Sequence, residues 1–278
     1  MKKINKLVGS LALLFCFGFT LAPNPTPTPA PEACYMQNQT FQGGEELTYK
    51  LYYNWNFVWM AAGEVTFKVE DTGTQYHLSA VGKTYGSYDR FFKVRDNYDT
   101  YLDKNSLLPV VSIRDVKEGN YVLYDKVVLN QSEHKAISYR GDNATQTTKR
   151  DFELSGCMHD ILSVLYYARN VDYNQYKTGM TFPIKLFMDK QEHPLSFKYK
   201  GKAANVALRD MGKYNAIKFS PQIINGRVFK EGSEVNVYVS DDANKIPLLI
   251  ESPLSVGSVK AVLKSYKGLR YDFNAKVE

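Results

Sequence analysis

The spacings that announce chemistry are missing from this chain. Its four histidines, His77, His134, His159 and His193, stand far from one another, and none has the short ligand spacing that zinc needs. No H-E-x-x-H, no G-x-S-x-G elbow and no phosphate-binding glycine loop occurs, so the reactions those motifs carry have no seat here. "SDDAN" at 240–244 has neither EF-hand spacing nor a closing glutamate and reads as a hairpin turn. Runs of one charge sign are absent as well. The formal charge is +6, but cations and acids interleave, as in "RDVKEGNYVLYDK". That is a solvated surface and not a nucleic-acid footprint. No metal, cofactor or nucleic-acid partner is expected.

Cysteine is scarce, with three in 278 residues. Cys16 lies in an apolar run, Leu7–Ala22, that follows the basic start "MKKINK". The run suits a secretory signal better than a membrane span, which takes about 20 residues. The expected leader is residues 1–22, and losing Lys2, Lys3 and Lys6 lowers the charge from +6 to +3. Pro23 is a poor neighbour for a cleavage site, and Phe15 spoils a lipobox before Cys16, so membrane attachment is expected only if the leader stays or is lipidated. The chain is expected in the periplasm or cell envelope of a Gram-negative bacterium. "PNPTPTPAPEA" then favours extended polyproline II. Residues 23–40 form a Pro/Thr-rich linker, and residues 41–278 are expected to be a single β-rich domain.

What is abundant is the aromatic ring, with 21 tyrosines and 15 phenylalanines. "LTYKLYYNWNFVW" places Leu47, Tyr49, Leu51, Tyr53, Trp55, Phe57 and Trp59 on alternate positions, the pattern of a strand with one dry face. "GEVTFKVE", "FKVRDNYDTYL", "TFPIKLFM" and "EVNVYVS" alternate in the same way. Such alternation points to antiparallel pairing, because parallel strands covered on both faces read as unbroken apolar runs. One segment differs. "SGCMHDILSVLYYARN" sets Met158, Ile161, Leu162, Leu165 and Ala168 at helical spacing, with Ser155 placed to cap it and Asp160 in its first turns. "DKNSLLP" at 103–109 and "DDANKIP" at 241–247 echo each other. A glycine follows each proline at the same interval, Gly119 and Gly257, which suggests a duplicated three-strand meander.

Candidate chemistry is thin. Cys157 and His159 would point apart by roughly 200° on a helix, so they form no dyad. Glu45 and Glu46 are neighbours on a strand and face opposite ways. Asp96 falls on the apolar face of Phe92, Val94, Tyr98 and Leu102, which fits a buried polar contact, a bulge or a ligand-orienting group. No catalytic residue is assigned. Tyr49, Tyr53, Trp55, Phe57, Trp59 and Asp96 are the candidate ligand-binding residues, because wide rings along one strand suit a curved sheet around an apolar space. Solid core is the competing reading.

Three stretches carry a resemblance: "FQGGEELTYKLYYNWNFVWMAAGEVTFKV", "GCMHDILSVLYYARNVD" and "VYVSDDANKIPLLIESPLSVGSVKAVL". They resemble exported bacterial proteins of domain-of-unknown-function family 3108, through the G-E-x-L-T-Y opening at Gly44–Tyr49 and the D-D-x-x-x-x-P turn at Asp241–Pro247. The resemblance implies an envelope location and a β-rich fold, with no catalytic residues. By analogy with the half-open barrels of periplasmic lipoprotein carriers, acyl chains would lie under a helix. The expected fold is mainly β: a strongly curved antiparallel sheet or half-open barrel of about ten to twelve strands with one principal helix. The expected function is an exported, non-catalytic binding or carrier protein for an apolar or amphiphilic envelope molecule. The alternative is a structural or interaction protein of the envelope with an ordinary aromatic core, its partner an envelope protein. An enzyme ranks third.

In an oxidising compartment, Cys34 and Cys157 form an even pair once the leader is gone. Closing so long a loop stabilises by roughly 4–5 kcal/mol in the loop-entropy picture. Non-reducing peptide mapping should recover the two cysteines in one linked peptide, and finding both thiols free would end the pairing.

Overall fold

The alternating segments become strands, and more of them than their patterns announce. The computed structural model describes residues 35–55, 58–221, 234–253 and 257–277. Its strands are β1 (Glu46–Trp55), β2 (Val58–Asp71), β3 (Gln75–Thr84), β4 (Arg95–Asp103), β5 (Pro109–Glu118), β6 (Tyr121–Asn130) and β7 (Lys135–Asn143). They continue as β8 (Gln146–Glu153), β9 (Thr181–Met188), β10 (Gln191–Leu208), β11 (Gly212–Pro221), β12 (Asn236–Ser240), β13 (Pro247–Pro253) and β14 (Ser258–Lys267). Two helices are α1 (Gly86–Asp89) and α2 (Ile161–Asn170). The leader 1–22, Cys34, Phe57 and the side chain of Trp55 lie outside the described residues. Cys157, the one described cysteine, is buried.

All fourteen strands join one antiparallel sheet, ordered β8 to β1 and then β14 to β9. The expected ten to twelve strands therefore become fourteen. One edge strand accounts for part of the shortfall: β8, "QTTKRDFE", is exposed along most of its length and has no dry face to read. Its Lys149 and Arg150 also discourage another strand from pairing with that edge. The sheet is not closed. The other edge, β9, is met by the chain leading into α2, through a parallel bridge between His159 and Leu186. There His159 N–H donates to the Lys185 carbonyl (2.8 Å), and Phe187 N–H donates to that of His159 (2.9 Å).

The sheet curls until its two arms touch. Phe187 of β9 packs with Val127, Leu129, Ala136 and Met158. At the β9–β10 turn, Asp189 accepts from Arg114 of β5 and Arg140 of β7, each at 2.8 Å. Both arginines also reach buried Asp125 on β6, at 2.8 and 3.3 Å. This row holds the arms together without ladder hydrogen bonds.

Helix α2 lies inside the curl. One flank packs with β9–β12 through Val164 and Ala168, and the other with Phe41, Leu78 and Leu102 through Leu162 and Tyr166. A helix so enclosed must satisfy its own ends. Asp160, and not Ser155, is the N-cap. It exchanges a capping box with Ser163, 2.8 Å each way, and accepts from Thr100 of β4. Ser155 instead bonds the Glu192 carboxylate. The helix thus starts at Ile161, later than the apolar spacing indicates, because His159 pairs with the β9 edge and Met158 bonds Gln131. At its C-terminal end, Tyr173 OH donates to the Ala168 carbonyl (2.8 Å). The end of the linker also joins the core: Thr40 is fully buried, and Gln39 N–H donates to Asn170 Oδ1 at 2.7 Å.

The two echoing turns share an aspartate cap, though it sits six residues before the proline in the first and five in the second. Asp103 accepts from the N–H groups of Asn105 and Ser106, and Asp242 from those of Asn244 and Lys245. Two residues before each proline the backbone turns left-handed, at Leu107 (φ 56°) and Lys245 (φ 46°). Each proline then opens a strand, where no ladder donor is needed. Gly119 and Gly257 follow with φ of 59° and 76°, a conformation natural to glycine.

The second turn meets the helix. Arg169 of α2 forms a bidentate ion pair with Glu45, at 2.6 and 2.8 Å. It also donates to the carbonyls of Asn244 (3.1 and 3.2 Å) and Thr40 (3.3 Å). Both charged side chains are essentially sealed from solvent, and the guanidinium lies over the rings of Phe41 and Tyr166. Burial opposes the charge on Arg169, but the Glu45 carboxylate outweighs it and raises the pKa further. Glu46, one residue on, faces out toward Lys68 and Lys267.

Breaking such a pair strands a buried charge, which costs about 3–5 kcal/mol. Arg169→Met and Glu45→Gln should each lose that much in urea unfolding. The double variant Glu45→Met/Arg169→Met should lose clearly less than the sum.

Candidate ligand cavity

The inward faces of the strands do not fill the interior. Beside α2, Leu47 and Tyr49 (β1), Val65 and Phe67 (β2), Leu165 (α2) and Ala261 (β14) border a space of about 70 Å³. It adjoins a space of about 240 Å³ toward β9–β13, and Leu165, Arg169, Pro247 and Ile250 border both. On the other side Val65 also borders a larger space of about 520 Å³, framed by β1–β5 and α1. Three apolar voids therefore follow one another along the inner face. Val65, Phe67, Leu165, Ile250 and Ala261 are only half-buried although they face inward, because open space borders each of them on one side.

Tyr49 and Tyr53 reach this interior. Tyr49 is buried, meets Phe67 edge to face at 5.6 Å and donates its hydroxyl to the Pro247 carbonyl at 2.8 Å. Burial raises its phenol pKa well above the usual value. Tyr53 borders the 520 Å³ space.

Trp59 does not reach it. The stretch 47–59 is a hairpin and not one strand: Trp55 pairs with Val58 and Asn54 with Trp59. The pairing register of the reversed chain sets odd positions of β1 opposite even positions of β2. Trp59 thus shares the face of Asn54, away from Tyr53, and lies 39% exposed with the Lys260 ammonium 4.7 Å above its ring. A bulge at Leu51/Tyr52 then restores the parity, which is why Val65 and Phe67 face in opposite Tyr49 and Leu47.

Asp96 sits in the wall of the largest space with Glu118. It is buried and accepts from the Lys117 N–H at 3.0 Å. Burial first, then the neighbouring Glu118 carboxyl, raises its pKa to about 6 against the pull of that N–H. Nearby Tyr98 is pushed up to about 12, by burial and then by Asp96. A carboxyl in such an apolar wall can exchange a hydrogen bond with a hydroxyl or an ammonium. No nucleophile with a bonded base faces it among the described residues. Nor does any group of three or more His, Cys, Asp or Glu gather there to hold a metal. His159 is held neutral, its pKa lowered to about 3 by burial, and its Nδ1 lies 3.2 Å from Ser163 Oγ.

Sequence reasoning missed Val65, Leu165, Pro247, Ile250 and Glu118. Their parities were legible, but which strands lie across from α2 is not a local property. Pro247 alone had a signal, as the end of the D-D-x-x-x-x-P turn.

The family model DUF3108, described as a protein of unknown function, matches residues 48–264. No curated protein matches the sequence. Among solved structures, the chain is similar to a β-barrel-like protein of domain of unknown function DUF1849 from Brucella abortus. That likeness has 11% identity and a TM-score of 0.55, covering 82% of this chain and 98% of the other. At such identity it concerns the fold alone. A Bacteroides fragilis protein with a YmcC-like fold also aligns, with 8% identity and a TM-score of 0.30, over 84% of this chain and 99% of that one.

Because Asp96 keeps its proton to higher pH when folded than when unfolded, the folded state binds more protons between about pH 4 and 6. This group's contribution therefore falls as pH rises through that window. Asp96→Asn should be more stable than the natural chain at about pH 7.5, by up to about 3 kcal/mol for a two-unit shift, and no more stable at about pH 4. Urea titrations at both pH values test this. A variant weaker at both would show that the carboxylate is a favourable acceptor.

Proposed function

The chain belongs to the DUF3108 family, whose function is unknown, and from the interior of this member we propose an exported, non-catalytic binding or carrier protein. Its ligand is an apolar or amphiphilic molecule of the Gram-negative cell envelope. One observation carries the reading: the succession of apolar spaces along the inner face of the sheet, two of them beside α2 and the largest beside α1, with Val65 and then Leu165, Pro247 and Ile250 bordering neighbouring spaces. The largest, about 520 Å³, falls in the range of small-molecule sites, roughly 300–1,000 Å³. Its few polar groups, Asp96 and Glu118 among them, would orient one end of a ligand whose remainder meets hydrocarbon. The basic leader and the apolar Leu7–Ala22 run support export.

The alternative, a structural or interaction protein of the envelope, draws on the motifs themselves. Glu45 and the 241–247 turn are spent on holding α2, so what they secure is a shape and not a reaction.

Titration with a fluorescent fatty acid separates the two. The natural chain should take up the probe, and Val65→Trp, which fills the junction of two spaces, should weaken uptake at least about tenfold, or 1.4 kcal/mol. Native mass spectrometry of protein from the envelope should show added mass. No uptake by delipidated protein, together with bare mass from the envelope, would move the lead to the interaction reading.

A further inference from the structure

In an antiparallel meander every second connection lies at the same end of the sheet. The β1–β2, β3–β4 and β5–β6 connections share one end, and exposed apolar side chains gather there. Phe91 is 77% exposed, Val58 60%, Tyr121 51%, Phe92 49% and Val122 42%. Single exposed apolar residues are ordinary, but a cluster marks a surface with a partner.

The β3–β4 connection is its tip. After α1 the chain reads Arg90-Phe91-Phe92-Lys93, and all four residues are exposed. Two rings lie between two cations. Neither cation forms an ion pair among the described residues. The acids on α1 and β2 are engaged, Asp89 by Arg95 at 2.6 Å and Glu64 by Lys264 and by Tyr85 at 2.6 Å, while Glu118, bridged to the tip at Val94, points to the cavity wall. The tip thus offers positive charge beside hydrocarbon, the combination that suits the headgroup layer of an anionic bilayer.

The tip is also part of the cavity. Phe92 and Tyr88 border the 520 Å³ space, and the Phe92 ring lies against Gly119 of the β5–β6 turn, where a Cβ would come within 3.1 Å of it. One residue therefore belongs both to the exposed cluster and to the cavity wall.

We propose that this end of the sheet docks on an anionic phospholipid surface, with Phe91 and Phe92 entering the headgroup layer and Arg90 and Lys93 meeting the phosphates. Docking sets the largest interior space against the lipid from which a carrier would load. The proposal extends the carrier reading and uses a different readout, so either can fail alone.

Residues 33–278 form one compact unit, and the test uses that unit, free of the Leu7–Ala22 run that would itself bind lipid. It should float with vesicles of phosphatidylcholine containing phosphatidylglycerol, and far less with pure phosphatidylcholine or in high salt. Phe91→Asp/Phe92→Asp should lower binding more than tenfold. Arg90→Gln/Lys93→Gln should lower it about fivefold per charge removed. Val277→Asp, an exposed apolar site at the opposite end of the sheet, should leave it unchanged, and circular dichroism should show every variant folded. Fatty-acid uptake in vesicle-free solution reports on the carrier reading separately. No flotation of the natural sequence, or equal flotation of the Phe91→Asp/Phe92→Asp variant, would overturn the docking proposal even where uptake is intact.

Discussion

The ion pair between Glu45 and Arg169 is the contact on which the rest of the architecture depends. Removing two charges from water is expensive, and the cost is met only when every lone pair and N–H is used. Here Arg169 spends its donors on Glu45, Asn244 and Thr40, and aromatic rings cover its faces. One side chain thus ties the helix to the entry of β1 and to the turn before β13. Glu45 and that turn belong to the stretches that carry the family resemblance, and they meet at a helix that lies far from both in the chain.

A helix held this way acts as a spacer. The sheet must curve around it, and the Arg114–Asp125–Arg140–Asp189 row draws the arms together on the far side. Curvature is set by these polar clasps and by bulges, not by hydrophobic collapse alone. Large rings such as Tyr49 and Phe67 bridge from strand to helix in places and leave gaps in others. A core shaped only by collapse closes to the density of an organic crystal; one propped by a fixed helix keeps its voids.

The two ends of the sheet differ in chemistry. One carries the Asx-type turns at Asp103 and Asp242, the capped helix and the buried pair, so most of its polar groups are satisfied internally. The other carries α1, the Phe91–Phe92 tip and the mouth of the largest space, with the raised carboxyl of Asp96 inside it. Internal hydrogen bonds and the buried ion pair gather at one end, and exposed hydrocarbon with unpaired cations at the other.

Local pattern determined a good deal. Period-two alternation showed the antiparallel class, helical spacing at 161–168 showed the one substantial helix, and the prolines at 109 and 247 showed where two strands begin. The inward parity of Asp96, Tyr49 and Tyr53 followed from the same counting, as did the opposed directions of Glu45 and Glu46. Tertiary structure decided what counting cannot reach. The hairpin inside 47–59 turned Trp59 outward, because a reversal resets parity and apolar residues on both sides of a turn look like one strand. Strand β8 was invisible, since an edge without a dry face has no alternation. The pairing of Glu45 with Arg169, and the gaps beside Val65 and Leu165, arise between residues distant in the chain. Periodicity reports which way a side chain points; only the completed fold determines what, if anything, stands opposite it.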